Sequence, residues 1–68
     1  MKVILENPEY KGEILEVRLN GEDIRSFAPT RITSQRLIMD IGAIPRKGKN
    51  ILEILTNNGG YIRRYIEI

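Results

Sequence analysis

The chain has no cysteine, no histidine, no tryptophan and only one phenylalanine. Without cysteine no disulfide can form. Without thiol or imidazole a zinc site would need carboxylates alone, a poor ligand set for that ion. The same two absences remove the usual general base and the most reactive nucleophile of protein catalysis, and the carboxylates are scattered over different turns and strand faces with no converging pair. No run of about 18 apolar residues occurs, which excludes a transmembrane helix. The opening Met1-Lys2-Val3-Ile4-Leu5-Glu6-Asn7-Pro8 places Glu6 where a signal peptide needs unbroken apolar sequence. The expectation is a chain with no signal peptide, extracytoplasmic only if excised from a larger surface or secreted protein. A lack of cysteine suits either redox compartment.

What is present is a small, isoleucine-rich chain. Its 68 residues allow one domain, residues 1–68, with 41% hydrophobic residues to fill a thin two-layer core. β-Branched side chains in quantity and few alanines favour strands over helices. Eleven Lys and Arg stand against nine Asp and Glu, a net charge of only +2, and the acidic residues interleave with the basic ones. A committed nucleic-acid binder carries a clustered excess.

Period-two alternation places the strands. Lys2–Glu6 ends at Asn7-Pro8, and Gly12 marks the next turn. Ile14–Leu19 sets Leu15, Val17 and Leu19 on one face against Glu16 and Arg18. Asn20-Gly21 predicts a tight hairpin turn, because a type I′ turn needs positive φ at both central positions. Ile24–Phe27 reads as a short returning strand broken by Ala28-Pro29-Thr30, and Arg31–Ser34 as a weak strand or coil. Leu37–Ile41 points Leu37, Met39 and Ile41 inward. Ile44 reads as an apolar plug in the loop that ends at Lys49. In Asn50–Thr56, Leu52 and Ile54 face in, which leaves Ile51 and Leu55 outside. After the Asn57–Gly60 turn the last strand carries Ile62, Ile66 and Ile68 on its inner face, interrupted by Arg64, and Tyr61, Arg63, Tyr65 and Glu67 on the other. Arg64 calls for a bulge at Arg63-Arg64, a path out to the edge, or a carboxylate partner. The fold class expected is all-β, a small antiparallel β-sandwich of six to seven short strands with a closed barrel as alternative.

In order, these elements resemble the immunoglobulin-like early-set β-sandwich domains, closest to the IPT/TIG domain and related bacterial immunoglobulin-like modules. The features shared are the Pro8…Gly12 segment before an apolar strand, the Leu19-Asn20-Gly21-Glu22-Asp23-Ile24 turn, Thr30-Arg31-Ile32 before Leu37–Ile41, Gly48-Lys49-Asn50-Ile51-Leu52-Glu53-Ile54, and the Asn57–Gly60 turn with its final strand. The resemblance spans nearly the whole chain. It implies an immunoglobulin-like fold and a non-catalytic structural or interaction module, a spacer or partner-binding domain without cofactor. The LNGEDI and GKNILEI segments are also similar to the jelly-roll sugar-binding domain of family 2 glycoside hydrolases, a fold about twice as long.

Two residue sets are functional candidates. Ile51, Leu55, Tyr61, Arg63 and Tyr65 share the outer face of the C-terminal hairpin and form a candidate interface for a protein partner, a neighbouring domain or a second copy as a homodimer. The plainer reading has the tyrosine rings covering Ile51 and Leu55 across the hairpin. Arg46, Lys47 and Lys49 beside Gly48 form a candidate anion-binding loop, which no Gly-Lys-Ser/Thr signature accompanies; the plainer reading is a solvated charged loop. The alternatives to a protein-interaction module are a small β-type nucleic-acid-binding domain, with cations on phosphates and Tyr61 and Tyr65 stacking on bases, and a carbohydrate-binding accessory domain.

Overall fold

Asn20 and Gly21 adopt φ of 54° and 83°, and Leu19 pairs with Glu22 across them, so the turn is the two-residue hairpin loop its sequence demands. That hairpin is one of three in a computed structural model that describes residues 1–6, 13–33 and 35–68. The expected Asn7-Pro8 strand end, the Pro8…Gly12 segment and Ser34 lie outside the described residues.

The described residues form seven strands and no helix: β1 (Lys2–Glu6), β2 (Ile14–Leu19), β3 (Glu22–Ile24), β4 (Phe27–Ile32), β5 (Arg36–Ile41), β6 (Lys49–Thr56) and β7 (Tyr61–Glu67). Among the described residues no helix is therefore long and apolar enough to cross a membrane. The strands make two antiparallel sheets, β1-β5-β4 and β3-β2-β6-β7. The hairpins β2–β3, β4–β5 and β6–β7 go to alternate sheets as the chain proceeds. The β2–β6 pairing joins the first and last hairpins into the larger sheet, and the β1–β5 pairing adds β1 to the middle one.

One core lies between the sheets. Val3, Leu5, Leu37, Met39 and Ile41 enter it from the smaller sheet, and Val17, Leu19, Ile24, Leu52, Ile54 and Ile62 from the larger. Each such side chain contributes about 1.5–3 kcal/mol on leaving water. An all-β sandwich with seven short strands is what the alternation predicts. In the constant-type immunoglobulin arrangement the first, second, fifth and fourth strands share a sheet. Here β2 lies in the other sheet, between β3 and β6.

Several local expectations are corrected. Leu15 is 62% exposed rather than in the core. The register of β2 on β6 shifts between Ile14 and Glu16, so Leu15 is the extra residue of a bulge and Ile14 packs against the core instead. The second strand of the first hairpin ends at Ile24, not at Phe27. Pro29 does not break a strand but sits within β4, at an edge of the smaller sheet and beside a register shift between Pro29 and Arg31. Edges and bulges are where a sheet can dispense with an amide donor. Ile44 is 97% exposed and plugs nothing, and Ile68, beyond the end of β7, is exposed as well. The β6–β7 register runs without a break from Lys49 opposite Glu67 to Leu55 opposite Tyr61, so no bulge relieves Arg64. Arg64 stays half-buried opposite Leu52, and its Nη1 donates to the Arg63 carbonyl at 3.0 Å.

Candidate interaction face

The hairpin β6–β7 places its outer residues by register. Ile51 lies opposite Tyr65, Glu53 opposite Arg63 and Leu55 opposite Tyr61. Two aromatic–aliphatic cross-strand pairs thus flank one charge pair. Tyr61 and Tyr65 are 54% and 57% exposed, whereas Ile51 and Leu55 beneath them are half-buried. The rings thus lie across the hairpin from the half-buried aliphatic side chains and are themselves more than half exposed. Cross-strand pairs of this kind each contribute about 0.2–1 kcal/mol. The five residues of the candidate interface are therefore brought onto one face, with Arg63 between the two tyrosines.

The face continues across the sheet. Asp23 of β3 pairs with Arg18 of β2, Arg18 with Glu53 of β6, and Glu53 with Arg63 of β7. This is a transverse row of four charges of alternating sign. It divides the Ile51–Tyr65 pair from the Leu55–Tyr61 pair. Arg18 Nη2 donates to Glu16 Oε2 at 2.8 Å, and that bond raises the guanidinium pKa above its ordinary value. The Tyr61 hydroxyl donates to Glu53 Oε2 at 2.5 Å, which with partial desolvation raises the phenol above its ordinary value. Lys49 Nζ stands 4.1 Å from the centroid of the Tyr65 ring and Arg63 Cζ 5.4 Å from it. Both are cation–π distances. The charge row went unread in the sequence because its members come from four strands; the one local sign of it is the opposite charge at spacing two, Glu16 with Arg18, on the outer face of β2.

The basic loop is organised from inside by Asn50, which is fully buried. Its Oδ1 accepts from the Arg46 amide, and its Nδ2 donates to the carbonyls of Arg46 and Gly48. Gly48 takes φ of 94° to make the bend. Arg46 Nε donates to the Lys49 carbonyl at 3.1 Å, and Lys49 leans onto Tyr65, so two of the three loop cations are engaged within the chain. Lys47 is exposed. Lys49 belongs to both candidate sets and joins the loop to the tyrosine face.

At one end of the sandwich an open cleft of about 580 Å³ is bordered by Leu19, Ile24, Ile41, Ala43 and the exposed Ile44. Its polar rim is formed by Asn20, Glu22 and the Met1 ammonium, which donates to the Ile41 carbonyl at 2.6 Å. What the outer face of the larger sheet offers chemically is two exposed tyrosine rings, that of Tyr65 held by Lys49 and Arg63, a half-buried aliphatic floor and a row of charges of alternating sign. The chain matches no protein-family model, no curated protein and no solved structure.

Proposed function

We propose that this chain is a non-catalytic interaction module, a small sandwich that resembles immunoglobulin-like modules in its strand and turn signals though not in the placement of β2, and that it docks a protein partner or neighbouring domain on the outer face of β6 and β7. The observation that carries this reading is the exposure of Tyr61 and Tyr65 over half-buried Ile51 and Leu55. Aromatic anchors set in a polar rim are the usual centre of a protein interface. Arg63, between the rings, supplies orientation at the rim more than energy.

The distribution of cations supports a protein rather than a nucleic-acid partner. Arg18 is paired with Glu16, Arg36 with Glu6, and Arg63 lies opposite Glu53. Phosphate binding by counterion release needs cations that act together without such neutralisation.

The test is a photo-crosslinking amino acid at Tyr61, compared with the same group at Ile32, an exposed residue of the smaller sheet. In the native host, position 61 should yield a protein adduct that a Tyr65→Ser change abolishes, and position 32 should yield none. Equal adducts at both positions, or a nucleic-acid adduct with tight, steeply salt-dependent binding, would overturn the reading.

A further inference from the structure

We infer that the free edge of β7 pairs with β7 of a second copy, antiparallel, with Arg63 of each chain opposite Glu67 of the other. The sheet order leaves four edge strands, and they differ in how well they are protected. β3 has only three residues, and β4 carries Pro29 and a register shift. β1 has five residues, whereas β7 has seven, no proline and an unbroken register. A long, flat, proline-free edge is a template for another strand.

The backbone shows which groups are available. Gly48 and Ile68 exchange both of their hydrogen bonds, at 3.2 and 2.9 Å. Hydrogen-bonded and non-bonded positions alternate along an antiparallel pair. Ile62, Arg64 and Ile66 therefore bond to β6, and the amides and carbonyls of Tyr61, Arg63, Tyr65 and Glu67 point away from it. Among the described residues no strand takes them up.

Side chains choose the register. Pairing about a two-fold axis at Arg63 would set Arg63 against Arg63, and pairing about Arg64 would set Arg64 against Arg64. Pairing about Tyr65 sets Arg63 against Glu67 twice and Tyr65 against its own copy. It also brings Ile62 against the exposed Ile68. This register alone opposes unlike charges and no like ones. It also uses outward backbone groups at each of Arg63, Tyr65 and Glu67. The contact is isologous, closes at two chains and makes one sheet of eight strands. Arg64 opposes it, since its guanidinium occupies the Arg63 carbonyl that the partner's Glu67 amide would take. An inward-placed charge on an edge strand is a known brake on such pairing, so the dimer is weak and forms only at high concentration.

Pairing at this edge does not depend on the outer-face reading: its hydrogen bonds come from the backbone of β7 and its register from Arg63 and Glu67, and it leaves Tyr61 and the face of β6 open. Sedimentation of the intact chain from micromolar to millimolar concentration should show a monomer–dimer equilibrium. Arg63→Pro removes only an outward amide and should abolish the dimer while the fold, followed by circular dichroism, persists. Tyr61→Ser lies outside the paired segment and should leave association unchanged while weakening any face contact. Arg64→Thr should tighten the dimer several-fold. Arg63→Glu and Glu67→Arg should each weaken it at least about tenfold, since two cross-strand pairs become repulsive. Mixing these two variants should restore a dimer containing one of each. A wild type that stays monomeric at millimolar concentration overturns the proposal, and so does a mixture that fails to associate.

Discussion

Asn20 and Asn50 meet side chain to side chain, Asn20 Nδ2 donating to Asn50 Oδ1 at 2.9 Å. Asn20 Oδ1 in turn accepts from the Ile51 amide at 2.9 Å. The tight turn of the first hairpin is thereby bonded to the start of β6 and, through Asn50, to the basic loop. Asn50→Leu would leave the Arg46 amide and carbonyl, the Gly48 carbonyl and the Asn20 amide short of partners. The expected loss is about 2–4 kcal/mol, read from urea unfolding. Asn50→Asp adds a pH signature. Its buried carboxylate would face the Arg46 and Gly48 carbonyls, so its folded pKa would rise above the unfolded value of about 3.9. The native state then holds more protons than the unfolded chain above that pH, and the variant should lose stability relative to wild type as pH rises from about 3.5 to neutrality.

Leu52 and Leu15 provide a matched pair. Leu52 is 1% exposed and Leu15 is 62% exposed, although both lie on strands with alternating apolar residues. Leu52→Ala should cost about 2–5 kcal/mol, a large part of the stability of so small a domain. Leu15→Ala should stay within about 0.5 kcal/mol. Equal losses by chemical denaturation would mean that the bulge at Ile14–Glu16 is absent in solution.

The last turn depends on the smallness of Gly60. A Cβ there would overlap Thr56 Oγ1, which donates to Asn58 Oδ1 at 2.9 Å from a buried side chain. Gly60→Ala should therefore destabilise by about 1–3 kcal/mol, the usual cost of forcing an extra carbon into a packed site. Most of that penalty should vanish in a Thr56→Ala background, where the obstructing oxygen is gone. A penalty that persists there would place its origin in the backbone.

Tyr61 should ionise late. Its hydrogen bond to Glu53 and partial desolvation both hold the phenol in its neutral form, and Arg63 and Arg18 only partly oppose them. The folded pKa lies above the unfolded one, so the stability linked to this contact is present in full below about pH 10 and lost as the phenol ionises at higher pH. In an alkaline titration followed by tyrosinate absorbance, Glu53→Ala should bring the Tyr61 step down towards its ordinary value. Tyr61→Phe identifies that step by deleting it. A titration indifferent to Glu53 would show that the contact does not persist in solution.

Period-two alternation is strong enough to place β1, β2, β5, β6 and β7 and to orient most of their side chains. Its failures share a cause: information carried by a neighbouring strand. Leu15 fits the pattern of β2 but not the register of β2 on β6. Pro29 looks like a terminator until β4 is known to be an edge. Val3 and Leu5 enter the core because β5 flanks β1, a pairing no local signal announces. Asn50 reads only as the first residue of a strand, whereas its burial follows from three backbone groups converging on one amide. At the candidate face the tyrosine row follows from spacing alone. The carboxylate bound by Tyr61 lies across the hairpin, and the charge row that splits the face requires the order of four strands.

The alternation of hairpins between sheets has a kinetic consequence. β2–β3, β4–β5 and β6–β7 each close over a short loop and can form within microseconds. None buries a face alone, since a lone hairpin is barely stable in water. Commitment must wait for β1 to find β5 and β2 to find β6, which joins Lys2 to Asp40 and Ile14 to Thr56. Those two searches carry most of the loop-closure entropy of the chain. The barrier to folding thus resides in two strand-to-strand meetings, and turn substitutions that leave them intact should alter unfolding rates more than folding rates.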